Sequence, residues 1–173
     1  MKRLLRIALL LGVLGGAAIA LTAVAGAGSS VNAELAKVRA ATAKYHSLAR
    51  AAADGYSVEN EPCVVSPDGT MGIHAVNGPL IGDPTIDPLR PELLLYVPGP
   101  NGKLRLAGVE YFKVDADQNL ATAGDRPSLF GVPFDGPMEG HAPGMPIHYD
   151  LHVWVWHHNP SGMFSMWNPK LSC

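Results

Sequence analysis

The chain is short of the features that announce a familiar chemistry. Its 173 residues hold two cysteines, Cys63 and Cys173, with no CxxC spacing, so neither a thiolate zinc ribbon nor covalently attached haem fits. Charge is sparse as well, at 16% of residues, and basic groups (13) do not outnumber acidic ones (15). Without a basic patch interleaved with aromatics, nucleic acid and an anionic membrane surface are excluded as principal partners. None of Ser128, Ser161, Ser165 and Ser172 stands in a GxSxG elbow, and no glycine-rich phosphate loop precedes a helix. Repeats, heptads and low-complexity tails are lacking too, which leaves a single ordinary core to be built.

Long apolar runs are also scarce, and the one present lies at the start. Lys2, Arg3 and Arg6 precede an apolar stretch from Ile7 to about Ala25 that ends in small residues, the pattern of an export signal. Cleavage is expected after Ala27, with Ala25 as the alternative. The glycines at 12, 15, 16 and 26 make the same stretch a poor membrane anchor, and no cysteine near the cleavage region supports lipidation. Residues 1–27 are thus read as a signal peptide and 28–173 as one secreted or periplasmic domain with no stable membrane span. Losing three basic residues leaves ten against fifteen acidic, a mature charge of −5. In an oxidising compartment Cys63 and Cys173 are expected to form a disulfide, worth roughly 4 to 5 kcal/mol in the chain-entropy view of so long a loop.

Periodicity then divides the mature chain. From Val31 to Asp54, Leu35, Val38, Thr42, Tyr45, Leu48 and Ala52 recur at three- and four-residue steps, predicting an amphipathic helix of about six turns, capped by Asn32 and stopped at Asp54-Gly55. Between Glu59 and Arg90 turn formers crowd out long elements, leaving Thr70–Ala75 as a short strand. Glu92–Val97 and Lys103–Val114 predict an antiparallel hairpin across Pro98–Gly102. Residues 115–146 read as a long Pro/Gly-rich cover. The expected fold class is α+β, with the N-terminal helix packed on a small antiparallel sheet.

The segment IHYDLHVWVWHH, residues 147–158, carries most of the chemistry. Read as one strand, it places Ile147, Tyr149, Leu151, Val153 and Val155 on a core face, and His148, Asp150, His152, Trp154, Trp156 and His158 on the other. On strand Lys103–Val114, Glu110 shares the apolar side with Leu104 and Leu106, where a carboxylate needs a partner, a metal or a raised pKa. Histidines four apart on a strand, such as His148 and His152, are about 13 Å apart and cannot chelate one ion. A metal site therefore draws on separate segments: His74, Glu110 and His152 are the candidate ligands, with His141, His148 or Asp150 as replacements. Two imidazoles and a carboxylate suit a divalent transition metal such as zinc, copper or iron. Trp154 and Trp156, side by side with Phe130, Phe134 and Phe164, are the candidate walls of a small-molecule pocket, haem being the less favoured occupant.

The segments ADGY (53–56), MGIH (71–74), GVEY (108–111), LHVWVW (151–156), NPSGMF (159–164) and WNP (167–169) resemble a group of small exported bacterial proteins without established activity. Ala75 departs from that pattern, in which an aromatic follows MGIH. The resemblance implies an exported single domain and transfers no catalytic residue. The expectation is an exported metal-binding or ligand-binding protein using a His/Glu/Trp-lined face. The contrasting expectation is a structural or interaction module of the cell envelope with no small-molecule site.

Overall fold

The computed structural model describes residues 18–59 and 61–173, with side chains from Ser30 onward, so the expected signal segment 1–27 falls largely outside the described residues. No helix among the described residues is long and apolar enough to cross a membrane. The fold is α+β. Helix α1 (Ala18–Thr42) is followed by a 3-10 turn (Ala43–His46) and α2 (Leu48–Ala53). Strands β1 (Cys63–Ser66) and β2 (Gly69–Val76), the short α3 (Gly78–Ile81), then β3 (Leu93–Pro98), β4 (Leu104–Val114), β5 (Ser128–Leu129), β6 (Val132–Pro133), β7 (Asp135–Met138) and β8 (His148–Val153) complete the order. Six strands form a curled antiparallel sheet in the order β1-β2-β3-β4-β8-β7, while β5 and β6 make a separate hairpin.

The predicted stripe is the buried one: Leu35, Val38, Thr42 and Tyr45 pack against Leu94, Tyr96, Val109, Tyr111, Leu151 and Val153 on one face of the sheet. Complete burial of a side chain such as Val38 contributes about 1.5 to 3 kcal/mol. The helix differs from the six-turn expectation at both ends. It begins upstream of Asn32, which therefore lies inside α1 and caps nothing, and it breaks after Thr42. The break has a structural cause in polar contacts to the sheet. Thr42 donates back to the Val38 carbonyl and accepts from Trp156 Nε1–H at 3.0 Å, and the Tyr45 carbonyl, released from the helix, accepts from the Tyr96 hydroxyl at 2.6 Å. Ser47 then caps α2 by accepting from Arg50 N–H, and Gly55, at φ 97°, supplies the expected stop.

The β3–β4 hairpin forms as predicted, in antiparallel register. Two strands of the main sheet emerge that composition concealed. β1 pairs with β2 across Pro67-Asp68, and β7 lies within the expected irregular cover, pairing with β8 as an edge strand. Within that cover Phe130 and Gly131, at φ 56° and 75°, turn the β5–β6 hairpin. The disulfide between Cys63 and Cys173 is present and fastens the carboxyl terminus to β1. Reciprocal backbone hydrogen bonds between Thr70 and Asn168 at 3.1 Å fasten the preceding segment to β2.

Two faults in alternation rearrange the predicted faces. The register of β3 against β4 runs Leu95↔Gly108 and then Tyr96↔Leu106, so Ala107 is an extra residue and the pleat reverses there. Leu106 consequently joins the helix-side core while Gly108 and Glu110 lie on the opposite face, correcting the expectation that Glu110 shares a side with Leu104 and Leu106. The second fault ends β8 at Val153, where Val155 N–H bonds to the Val153 carbonyl at 2.9 Å in a tight turn about Trp154.

Candidate metal centre

On the sheet face away from the helix, three neighbouring strand pairs set the geometry. His152 on β8 stands directly across from Glu110 on β4, and Glu110 is across from Leu93 on β3. His74 on β2 is across from Leu95 of the same β3, so β3 separates it from Glu110. Two strand spacings amount to about 9 to 10 Å, a gap that an imidazole and a glutamate side chain close together over the leucines. His74 Nε2 lies 3.1 Å and His152 Nε2 3.5 Å from the same oxygen, Glu110 Oε2. One ligand atom from each of the three lies within 4.8 Å of the other two. The three residues singled out from sequence are therefore brought together.

These contacts are close without being hydrogen bonds. Among the described residues, five buried side-chain nitrogen and oxygen atoms have no hydrogen-bond partner: Glu110 Oε2, His152 Nε2, His152 Nδ1, Asp150 Oδ1 and His148 Nε2. All belong to this one face. A buried polar atom left unpaired costs about 1 to 3 kcal/mol, so such a concentration calls for partners that the neighbouring side chains do not supply. Donors arranged around one ion converge on a point and not on each other. Ligands about 2.05 Å from a tetrahedral ion lie roughly 3.3 Å apart, and the observed 3.1 and 3.5 Å bracket that edge.

The surroundings extend the pattern along β8. His152 Nδ1 faces Asp150 Oδ1 at 3.6 Å, the placement of a carboxylate that orients a ligating histidine from behind. Asp150 is in turn across from Asp135 on β7, and like charges in that position repel. Burial first, then Asp150, raises the Asp135 pKa. Burial alone would push the Glu110 carboxyl up, but the His152 and His74 imidazoles outweigh it and hold the group below the ordinary carboxylate range. For His152 burial pushes down, whereas Glu110 and Asp150 outweigh it and raise the imidazole to about 9. Without a metal, Glu110 and Asp150 thus favour the protonated form of His152.

The replacement ligands take different places. Asp150 lies behind His152, as described, and His148 sits two residues further along the same face, fully buried and stacked on Phe112 at 4.7 Å. His141 is exposed and meets His148 edge-on at 5.0 Å, outside the His74 group. His157 and His158 follow the end of β8 and join neither set.

The tryptophans do not form the shared surface expected of them. The turn at Trp154 sends the two rings to opposite sides of the sheet. Trp154 is buried beside His152 with centroids 6.4 Å apart, its Nε1–H donating to the Ser165 carbonyl at 2.6 Å. Gly108 makes this packing feasible, since a Cβ there would lie 2.8 Å from the Val153 carbonyl oxygen and 3.3 Å from the Trp154 ring. Trp156 instead packs at the helix, edge-on to His46 at 4.4 Å. Phe130 and Phe134 are buried in the helix-side core, and Phe164 stacks on Phe130 at 6.0 Å, so these rings act as packing between the loops and the core.

Glu92, which the sequence reading passed over, is buried at the start of β3 and accepts from Phe112 N–H at 3.2 Å; burial pushes it up to about 7. Its position next to the hydrophobic run LLLYV was the available signal. No known protein family, curated protein or solved structure matches the chain.

Proposed function

We propose that this protein binds one divalent transition-metal ion through His74 Nε2, the Glu110 carboxylate and His152 Nε2, with Asp150 standing behind His152 at 3.6 Å from its Nδ1. The observation that carries this reading is that, of the five unpartnered buried polar atoms among the described residues, three are on Glu110 and His152 and a fourth is on Asp150 beside them. Two imidazoles and one carboxylate are borderline donors that suit zinc, copper or iron. Three protein ligands leave at least one coordination position for water or an external ligand. The His74 side chain, 15% exposed where those of Glu110 and His152 are 5% and 1%, marks the side from which it is reached. A bound ion would supply Lewis acidity at that position. The protein's own contribution is to fix three ligands on paired strands, orient His152 and exclude water from all but the His74 side. The setting we infer for this is outside the cytoplasm, supported by the basic and apolar amino terminus and by the disulfide.

The test is elemental analysis of residues 28–173, free of an affinity tag and made with the disulfide intact, followed by zinc and copper titration of the metal-free form. Near-stoichiometric metal, lost in His152→Ala and weakened at least tenfold in the more accessible His74→Ala, is the expected result. A folded protein that neither carries nor takes up an ion would overturn the proposal and leave a structural or interaction module as the better reading.

A further inference from the structure

The loop joining β7 to β8 has a regular arrangement of soft donors: Met138, His141, Met145 and His148, spaced M-x2-H-x3-M-x2-H. The fold brings this linear pattern back on itself. Met138 is the β7 residue directly across from His148, so their side chains leave the same face with Cβ atoms about 5 Å apart. The ring of His141 meets that of His148 at 5.0 Å. At the neck of the loop, the backbones of Gly140 and Met145 come together so closely that a Cβ on Gly140 would lie 2.1 Å from the Met145 carbonyl oxygen. That closure brings the two ends of the segment His141–Gly144 together, and Pro143 and Pro146 stiffen it.

His148 supplies an independent sign that a ligand belongs here. Its Nδ1 is 3.0 Å from the Pro146 carbonyl, which accepts only, so Nδ1 carries the hydrogen and Nε2 is left with a lone pair. That Nε2 is fully buried with no partner among the described residues. A ring nitrogen fixed by a backbone carbonyl while the other is bare is how a ligating histidine is held. The donors offered are two thioethers and two imidazoles, soft and neutral. Such a set favours monovalent copper, because a hard divalent ion would lose its hydration without gaining any anionic ligand.

We propose that the 138–148 loop is a second, soft-metal site that takes Cu(I) through Met138, His141, Met145 and His148, separate from the His74–Glu110–His152 centre. The four-residue step from His148 to His152 spans about 13 Å along β8, too far for one ion to be shared.

Silver(I), a redox-inert stand-in for Cu(I), is titrated into residues 28–173 carrying 13C-labelled methionine methyl groups. The expected result is that the Met138 and Met145 methyl signals shift together and saturate at one equivalent, while Met71, buried on β2, stays in place. His141→Ala and Met145→Ala, both in the accessible part of the loop, weaken binding at least tenfold, and His74→Ala leaves it unchanged. A competition titration with a Cu(I) chelator under anaerobic conditions should rank the variants in the same order. Absence of a shift at Met138 and Met145 would overturn the proposal. So would shifts confined to Met163 and Met166, which line an open groove of about 910 Å³ with Met138, or indifference to His141→Ala.

Discussion

If a metal ion takes His152 Nε2, it must displace a proton. The imidazole is raised to about 9 because Glu110 and Asp150 outweigh its burial, so at pH 7 it is about two pH units below its own titration. Two units are a factor of about 100, or roughly 3 kcal/mol, by which protonation weakens the apparent affinity at pH 7 relative to pH above 9. The expected behaviour is a tenfold gain in zinc affinity per pH unit between pH 7 and 9, levelling off beyond. Calorimetry in buffers of different ionisation enthalpy should show about one proton released per zinc at pH 7 and close to none at pH 10. Glu110→Gln removes the carboxylate that raises His152, so proton release at pH 8 should fall well below one even as affinity drops. Zinc affinity independent of pH from 7 to 9, or the same proton release in the variant, would refute the placement of the ion on His152.

The metal-free protein should lose stability as the pH rises. Glu92 has a raised folded-state pKa, so its contribution is complete below about 4.5 and is lost as pH climbs through about 7. The shift is worth roughly 3 kcal/mol, and Glu92→Gln should flatten that part of a Tm profile. His152 is likewise raised, its contribution complete below 6.5 and lost through about 9, so the decline continues there, and bound zinc should suppress this second part. Copper(II) at the His74 centre is expected to quench Trp154, and Trp156→Phe should retain the quenching while lowering stability by about 1 kcal/mol through the lost bond to Thr42. Replacing Cys63 and Cys173 with serine should cost about 5 kcal/mol in the chain-entropy treatment of a 110-residue separation, read as a lower urea midpoint.

How far the sequence revealed the molecule depended on whether a feature was local. The apolar stripe of Leu35, Val38, Thr42 and Tyr45 and the β3–β4 hairpin follow from spacing that the chain carries by itself, and the structure has both. Thr42 belongs to the stripe yet ends the helix, because its hydroxyl has a partner in Trp156, 114 positions away. β7 was illegible because its four residues, Asp135–Met138, contain a glycine and a proline and become a strand only beside β8. The bulge at Ala107 and the turn at Trp154 each reverse a parity count that depends on an uninterrupted pleat.

The His74–Glu110–His152 group was legible for a different reason. A single chemical conflict, a glutamate flanked by Val109 and Tyr111 in a buried strand, demands partners wherever the pleat places it. The bulge moved Glu110 from one face to the other without removing the demand, and the same face received His152 across the β4–β8 pair and His74 from beyond β3. Parity errors therefore damaged the reading of the tryptophans, whose role depends on which side each ring faces, and left the histidines intact. The alternation of β8 survives over His148–Val153, so His148, Asp150 and His152 do share a face. One short strand thereby links both proposed sites, with Asp150 between their histidines. A His152→Ala variant that loses zinc yet keeps silver at Met138 and Met145 would show that this strand positions two separate sets of ligands.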